Sequence, residues 1–179
     1  TKGFTFEKDS VYEEVGNYIW KQQTIERNVQ RCYIRCGVSE KGEMYLASVY
    51  FGGHPISHTG IRLSLKDGQF ATTASIPFDG GLNYRFKDMG NTTEVVTYKG
   101  ENGMEAIKFI YVNQKERIKV EYTGGKPYVI YIADGDKRAI VATYDLATVL
   151  SDVENMRTLK AKSEKKIAYL KAKLTDDGE

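Results

Sequence analysis

The 179-residue chain has no uninterrupted run of 18 or more apolar residues, so no segment is long and apolar enough to cross a bilayer as a helix. Cysteine and histidine occur twice each, tryptophan once and proline three times. A domain of this length buries a core without disulfide or metal staples. The formal net charge of +2 lacks the basic excess of a general nucleic-acid binder. Also missing are a Gly-rich phosphate loop leading into Lys-Ser or Lys-Thr, a serine nucleophile elbow and any internal repeat. No catalytic constellation is legible and no cofactor is implied. The acids that do adjoin, Glu13-Glu14 and Asp134-Gly135-Asp136, read as solvated turn residues.

What is present is a change of period near Tyr144. Before it, short segments alternate apolar and polar residues, as half-buried strands do. Ile61, Leu63 and Leu65 alternate with Arg62, Ser64 and Lys66, and Asp67-Gly68 then turns the chain into Phe70–Ile76. Strands are likewise predicted over Leu82–Lys87, Glu94–Lys99, Met104–Val112, Arg117–Tyr122, Tyr128–Ile132 and Arg138–Tyr144, with Gly100-Glu101-Asn102-Gly103 as one of the turns. Connections this short make neighbouring strands antiparallel. Met44–Phe51 and Tyr128–Ile132 are apolar on both faces and are expected in central strands or under the terminal helix. Val11–Arg27 reads as a short helix or as two strands broken at Gly16, with Trp20 plugging one end of the core.

After Asp145, a plausible N-cap, the period becomes helical. Leu146, Val149, Val153 and Met156 fall at a and d spacing, the pattern lapses at Lys160 and Ser163, and it resumes at Ile167, Leu170 and Leu174. Arg157–Leu174 carries seven Lys or Arg and one Glu, and Thr175–Glu179 carries three acids. The first half of this helix is expected to cover the sheet and the second to project, dock on another molecule or fray. The fold class is therefore mainly β, an antiparallel meander forming a sandwich or flattened barrel with a long C-terminal α-helix. Residues 1–159 make one β domain that includes the packed part of the helix, and 160–179 a basic helical extension with an acidic tail.

Three sets of residues are candidates for function. Ile167, Leu170 and Leu174 with Lys165 and Lys166 suit a homo-oligomeric or partner-helix contact. His54 and His58, four apart in Gly52–His58, have a spacing that can share a metal if a third ligand is supplied, and otherwise are ordinary loop histidines. Cys32, Ile34 and Cys36 share one strand face; at about 13 Å, i and i+4 of a regular strand are too far apart to form a disulfide, so the thiols are read as buried and free. Gly16-Asn17-Tyr18-Ile19-Trp20 resembles the N-terminal Gly-x-Trp of lipocalin-like barrels, with three intervening residues in place of one, and that resemblance implies a barrel carrying a small apolar ligand.

The expectation is thus a non-catalytic binding or assembly module. The lipocalin-like carrier and a metal-dependent enzyme at His54 and His58 are the alternatives. Thirteen Tyr and one Asn91-Thr92-Thr93 sequon suit an exported protein, whether periplasmic, in the cell envelope or extracellular, and the start at Thr1 without Met is expected to mean that any leader has been removed or left out.

Overall fold

A computed structural model describes residues 2–8, 11 and 14–176. The strands are β1 (Phe4–Glu7), β2 (Asn17–Trp20), β3 (Tyr33–Ser39), β4 (Met44–Gly52), β5 (Gly60–Ser64), β6 (Phe70–Thr72), β7 (Asn83–Asp88), β8 (Asn91–Lys99), β9 (Lys119–Thr123) and β10 (Tyr128–Tyr131). The helices are α1 (Glu101–Val112) and α2 (Asp134–Asp176), and two single 3-10 turns, Lys21–Gln23 and Ile25–Arg27, follow β2. One sheet has the order β1-β2-β3-β4-β8-β7 and the other β10-β9-β5-β6, every pairing being antiparallel. The two stay open, giving a sandwich-like arrangement rather than a closed barrel.

Register places the core. Opposed residues of antiparallel strands share a face, and the pairs Ile34↔Ser48, Cys36↔Leu46, Val38↔Met44 and Leu46↔Tyr98 line the inner face of the larger sheet. Ile61, Leu63, Val120 and Tyr122 from the smaller sheet join them in one buried cluster. Helix α1 adds Ala106, Ile107 and Ile110, with Gly103 seated where an added Cβ would lie 3.0 Å from Tyr98 Cβ and 3.1 Å from Leu46 Cβ. Helix α2 lays Ala139, Ile140, Thr143 and Ala147 on the body, a 139/140/143/147 spacing that keeps one helical stripe inward. The other face of the larger sheet carries a smaller cluster, Tyr33, Val49 and Val95 packed with Tyr84.

Several segments depart from the sequence expectation. Met104–Val112 is helical, because its buried residues Gly103, Ala106, Ile107 and Ile110 follow the i, i+3, i+4, i+7 spacing of a helix. Arg138–Tyr144 belongs to α2, which starts at Asp134 rather than at an Asp145 cap; Asp134 and Asp136 place acids in its first turn, where the helix dipole favours them. Tyr128–Tyr131 is an edge strand, not a central one, with Tyr128, Val129 and Tyr131 exposed and Ile130 packed partly against the core. The strand after Asp67-Gly68 ends at Thr72. Asn17–Arg27 forms β2 and the 3-10 turns, while residues 12–13 of the Val11–Arg27 stretch lie outside the described residues. Trp20 packs edge-on against Phe4 at 5.1 Å and over Gly3, not into the main core.

The a/d residues of α2 also face differently from the expectation. Leu146 packs partly against the core, but Val149, Val153 and Met156 are exposed, and the sheet is covered by the smaller residues upstream. From residue 155 to 176 every side chain is exposed. Those 22 residues extend about 33 Å at 1.5 Å per residue. The second half projects in water, and residues 177–179 of its acidic end lie outside the described residues.

Candidate functional site

Two places in the molecule depart from ordinary globular economy: polar side chains buried in the body, and large apolar ones left in water on α2.

The first is built from β4, β8 and the loop joining β4 to β5. Ser48 and Glu94 point inward from strands whose neighbouring inward positions are Leu46, Val96 and Tyr98. Glu94 Oε2 accepts the backbone N–H groups of Ile56 (2.7 Å) and Ser57 (3.0 Å), and Oε1 accepts that of His58 (3.1 Å). A carboxylate replaces water for three loop amides that would otherwise be buried unpaired. His58, 1% exposed, stands edge-on to Tyr122 at 4.8 Å. Its Nε2 lies 2.9 Å from Ser48 Oγ and its Nδ1 3.6 Å from Glu94 Oε1. Ser48 Oγ is also 2.9 Å from the Tyr98 hydroxyl, whose pKa burial pushes up to about 12. Burial acts to raise the Glu94 pKa, but hydrogen bonding from His58 and from the Ile56 and Ser57 amides outweighs it and holds the carboxyl below its usual range.

Serine, imidazole and carboxylate in this order are the parts of a nucleophile relay. Here Ser48 is 0% exposed, so no substrate atom reaches its Oγ, and Glu94 spends its oxygens on backbone amides. What this arrangement does is tie the loop to the sheet. The reading of both histidines as ordinary loop residues therefore fails for His58, which is a core residue. His54 does stay exposed, its carbonyl accepting the Tyr50 hydroxyl at 2.8 Å. Among the described residues, no three His, Cys, Asp or Glu side chains are grouped so as to hold a metal ion.

A second buried polar knot joins the turns after β2 to α2. Gln23, fully buried, donates to Ile34 O (3.0 Å) and Asp136 Oδ1 (3.2 Å) and accepts the Cys36 N–H (3.1 Å), and Arg31 pairs with Asp136. Burial raises the Asp136 pKa above the ordinary aspartate value against the opposing pull of Arg31 and Gln23. Asp136 is thus not a solvated turn acid. Cys36 is buried and Cys32 partly so, with Cys32 Sγ against the Phe51 backbone; both thiols are free, as their strand spacing predicts. On the outer face of the larger sheet runs an open groove of about 1450 Å³, bordered by Ile19, Arg35, Tyr45 and Lys99.

The second departure is the seam of α2. Val149 and Leu174 and the a/d residues between them lie on one side of the helix at alternating steps of four and three. Val153 is 40% exposed and Met156 68%, and Ile167, Leu170 and Leu174 are exposed as well. Lys166 flanks them and Lys165 lies on the opposite side of the helix, both in water. Of the residues the sequence singled out, these alone form a continuous accessible surface; His54 and His58 occupy different environments.

Comparison with protein-family models, with curated proteins and with solved structures finds no match to this chain.

Proposed function

We propose that the protein is a non-catalytic assembly module, in which the β body anchors one end of α2 and the far half of α2 docks on another helix. The observation that carries this is the exposed a/d stripe through Val153, Met156, Ile167 and Leu170. A lone helical arm in water is marginal, because most helical stability in proteins comes from packing an apolar face. A partner helix would give this stripe the packing that the body does not. The small-ligand carrier loses its support with the open sheets, since a lipocalin-like interior needs closure.

Sedimentation equilibrium on the full chain tests the reading. Association that is abolished by changing Met156, Ile167 and Leu170 together to Ser, with an unchanged circular dichroism spectrum, supports it. If no self-association or helix binding is detected at 100 μM protein, or if association survives the triple change, assembly through α2 is refuted.

A further inference from the structure

We propose that the partner of α2 is α2 of a second copy, paired antiparallel about a two-fold axis that crosses the helix between Ala161 and Lys162. The proposal rests on the assembly reading above and fixes its partner, direction and register.

The seam has nine a/d positions from Leu146 to Leu174, and only two of them, Lys160 and Ser163, are polar. In a two-fold interface, if residue i meets residue j then j meets i. Centring the axis between 161 and 162 brings Lys160 opposite Ser163, so the two interruptions fall on each other. The three other layers between Val149 and Leu174 are then apolar on both sides: Val149 meets Leu174, Val153 meets Leu170, and Met156 meets Ile167, while Leu146 lies beyond them and packs partly on the body. Sliding the helices by one heptad either way sets Lys160 against Met156 or Leu170, which buries an ammonium beside an apolar side chain with no polar partner.

Charge selects the same arrangement. In an antiparallel pair the flanking positions meet their own kind, which puts Asp152 beside Lys173 and Arg157 beside Glu164 of the second copy, each contact occurring twice. Glu164 already lies 3.9 Å from Lys160 of its own chain, so one carboxylate would face both cations. Leu159 meets Lys166, whose alkyl stem can cover it. No like-charged pair arises. A parallel, in-register pair keeps one attraction, Asp152 with Arg157, but stacks Lys160 on its own copy and sets Lys166 beside Lys171. Flanking charges and single polar seam residues are the features that set orientation in paired helices. All of these residues are exposed in the structure, so the seam is free to pair without unfolding any of the body.

Two full-length variants, Met156→Cys and Ile167→Cys, each oxidised alone and then as a mixture, read the direction. The antiparallel pair gives a mixed 156–167 disulfide, identified by mass spectrometry, and no 156–156 link. Sedimentation adds a charge test. The native chain should have twice the 20.2 kDa chain mass. Asp152→Lys should raise the dimer Kd on the order of tenfold, with Lys173→Asp in the same chain restoring it. A monomer at 100 μM overturns the self-pairing, and the assembly reading falls as well only when no other helix binds α2 at that concentration. A dimer that gives 156–156 links, or that is rescued by Arg157→Asp instead of Lys173→Asp, overturns the antiparallel register while leaving assembly through α2 standing. A dimer indifferent to all of these changes places the interface elsewhere and overturns both.

Discussion

The body and the arm of this protein make opposite choices. The body buries Ser48, His58, Glu94, Gln23 and Asp136 and gives them partners; the far half of α2 leaves Val153, Met156, Ile167 and Leu170 in water. The same contrast exists within α2 itself, where the fully buried stripe is mostly small, Ala139, Thr143 and Ala147 around Ile140, with Leu146 and Leu150 only partly covered, while Val149, Val153 and the large aliphatic residues beyond them face outward. A helix that lies close to strands has room for small side chains. Burial is decided by the distance between backbones as much as by hydrophobicity, and large apolar residues can therefore mark a contact between molecules instead of the core.

The largest effect that would sharpen this contrast is Glu94→Ala. Removing one member of a buried charged network, with three loop amides left unpaired, should cost about 3–5 kcal/mol in urea unfolding. A cost below about 1 kcal/mol would mean the loop is held by something else. Next comes Ile140→Ala, the one large side chain that the near half of α2 buries completely, with an expected loss of about 2–5 kcal/mol.

A smaller effect is pH dependence. The Glu94 pKa is lowered in the folded protein, so its contribution is full above the unfolded value and is lost as pH falls through the lower folded one. Glu94→Gln should therefore show a shallower loss of stability in acid than the native chain. Asp136, whose pKa is raised, acts in the opposite sense, which is why the difference between the two proteins is the quantity to measure. Least of all should Val153→Ala or Leu170→Ala affect the dilute, dissociated protein, within about 0.5 kcal/mol as for surface positions, while both weaken association in concentrated samples. A large thermal destabilisation at low concentration would show that the arm packs on the body.

Much of the β body was legible because large alternating residues declare a strand. Cys36 and Leu46, Ile61 and Leu63, and Val120 and Tyr122 sit where alternation puts them. Helix α1 was hidden because half of its inward stripe is Gly103 and Ala106, which carry little hydrophobic signal, and because Asn102-Gly103 imitates a turn. The start of α2 was hidden for the same reason, its inward face being rich in Ala and Thr. The burial of His58 depends on Glu94, 36 residues away, a separation that no local pattern spans. A signal existed nonetheless: Glu94 shares the inward phase of its strand with Val96 and Tyr98, and an acid in that phase needs a donor. The projecting seam was readable as spacing, but not which of its residues would face the sheet.

The β3–β4 turn has one further consequence. Gly42, at φ +87°, lies so close to α2 that an added Cβ would sit 2.6 Å from Ser151 N and 2.9 Å from Ala147 O. It touches the helix just before α2 leaves the body. In mechanical terms Gly42 is a fulcrum, with about 38 Å of helix beyond Ser151 at 1.5 Å per residue. A tilt of about 5° there carries the helix tip about 3 Å sideways, over half the 5.4 Å pitch of a helical turn. The bare backbone of one glycine thus sets the aim of the whole arm, and a side chain at that position would redirect it without touching a single residue of the seam.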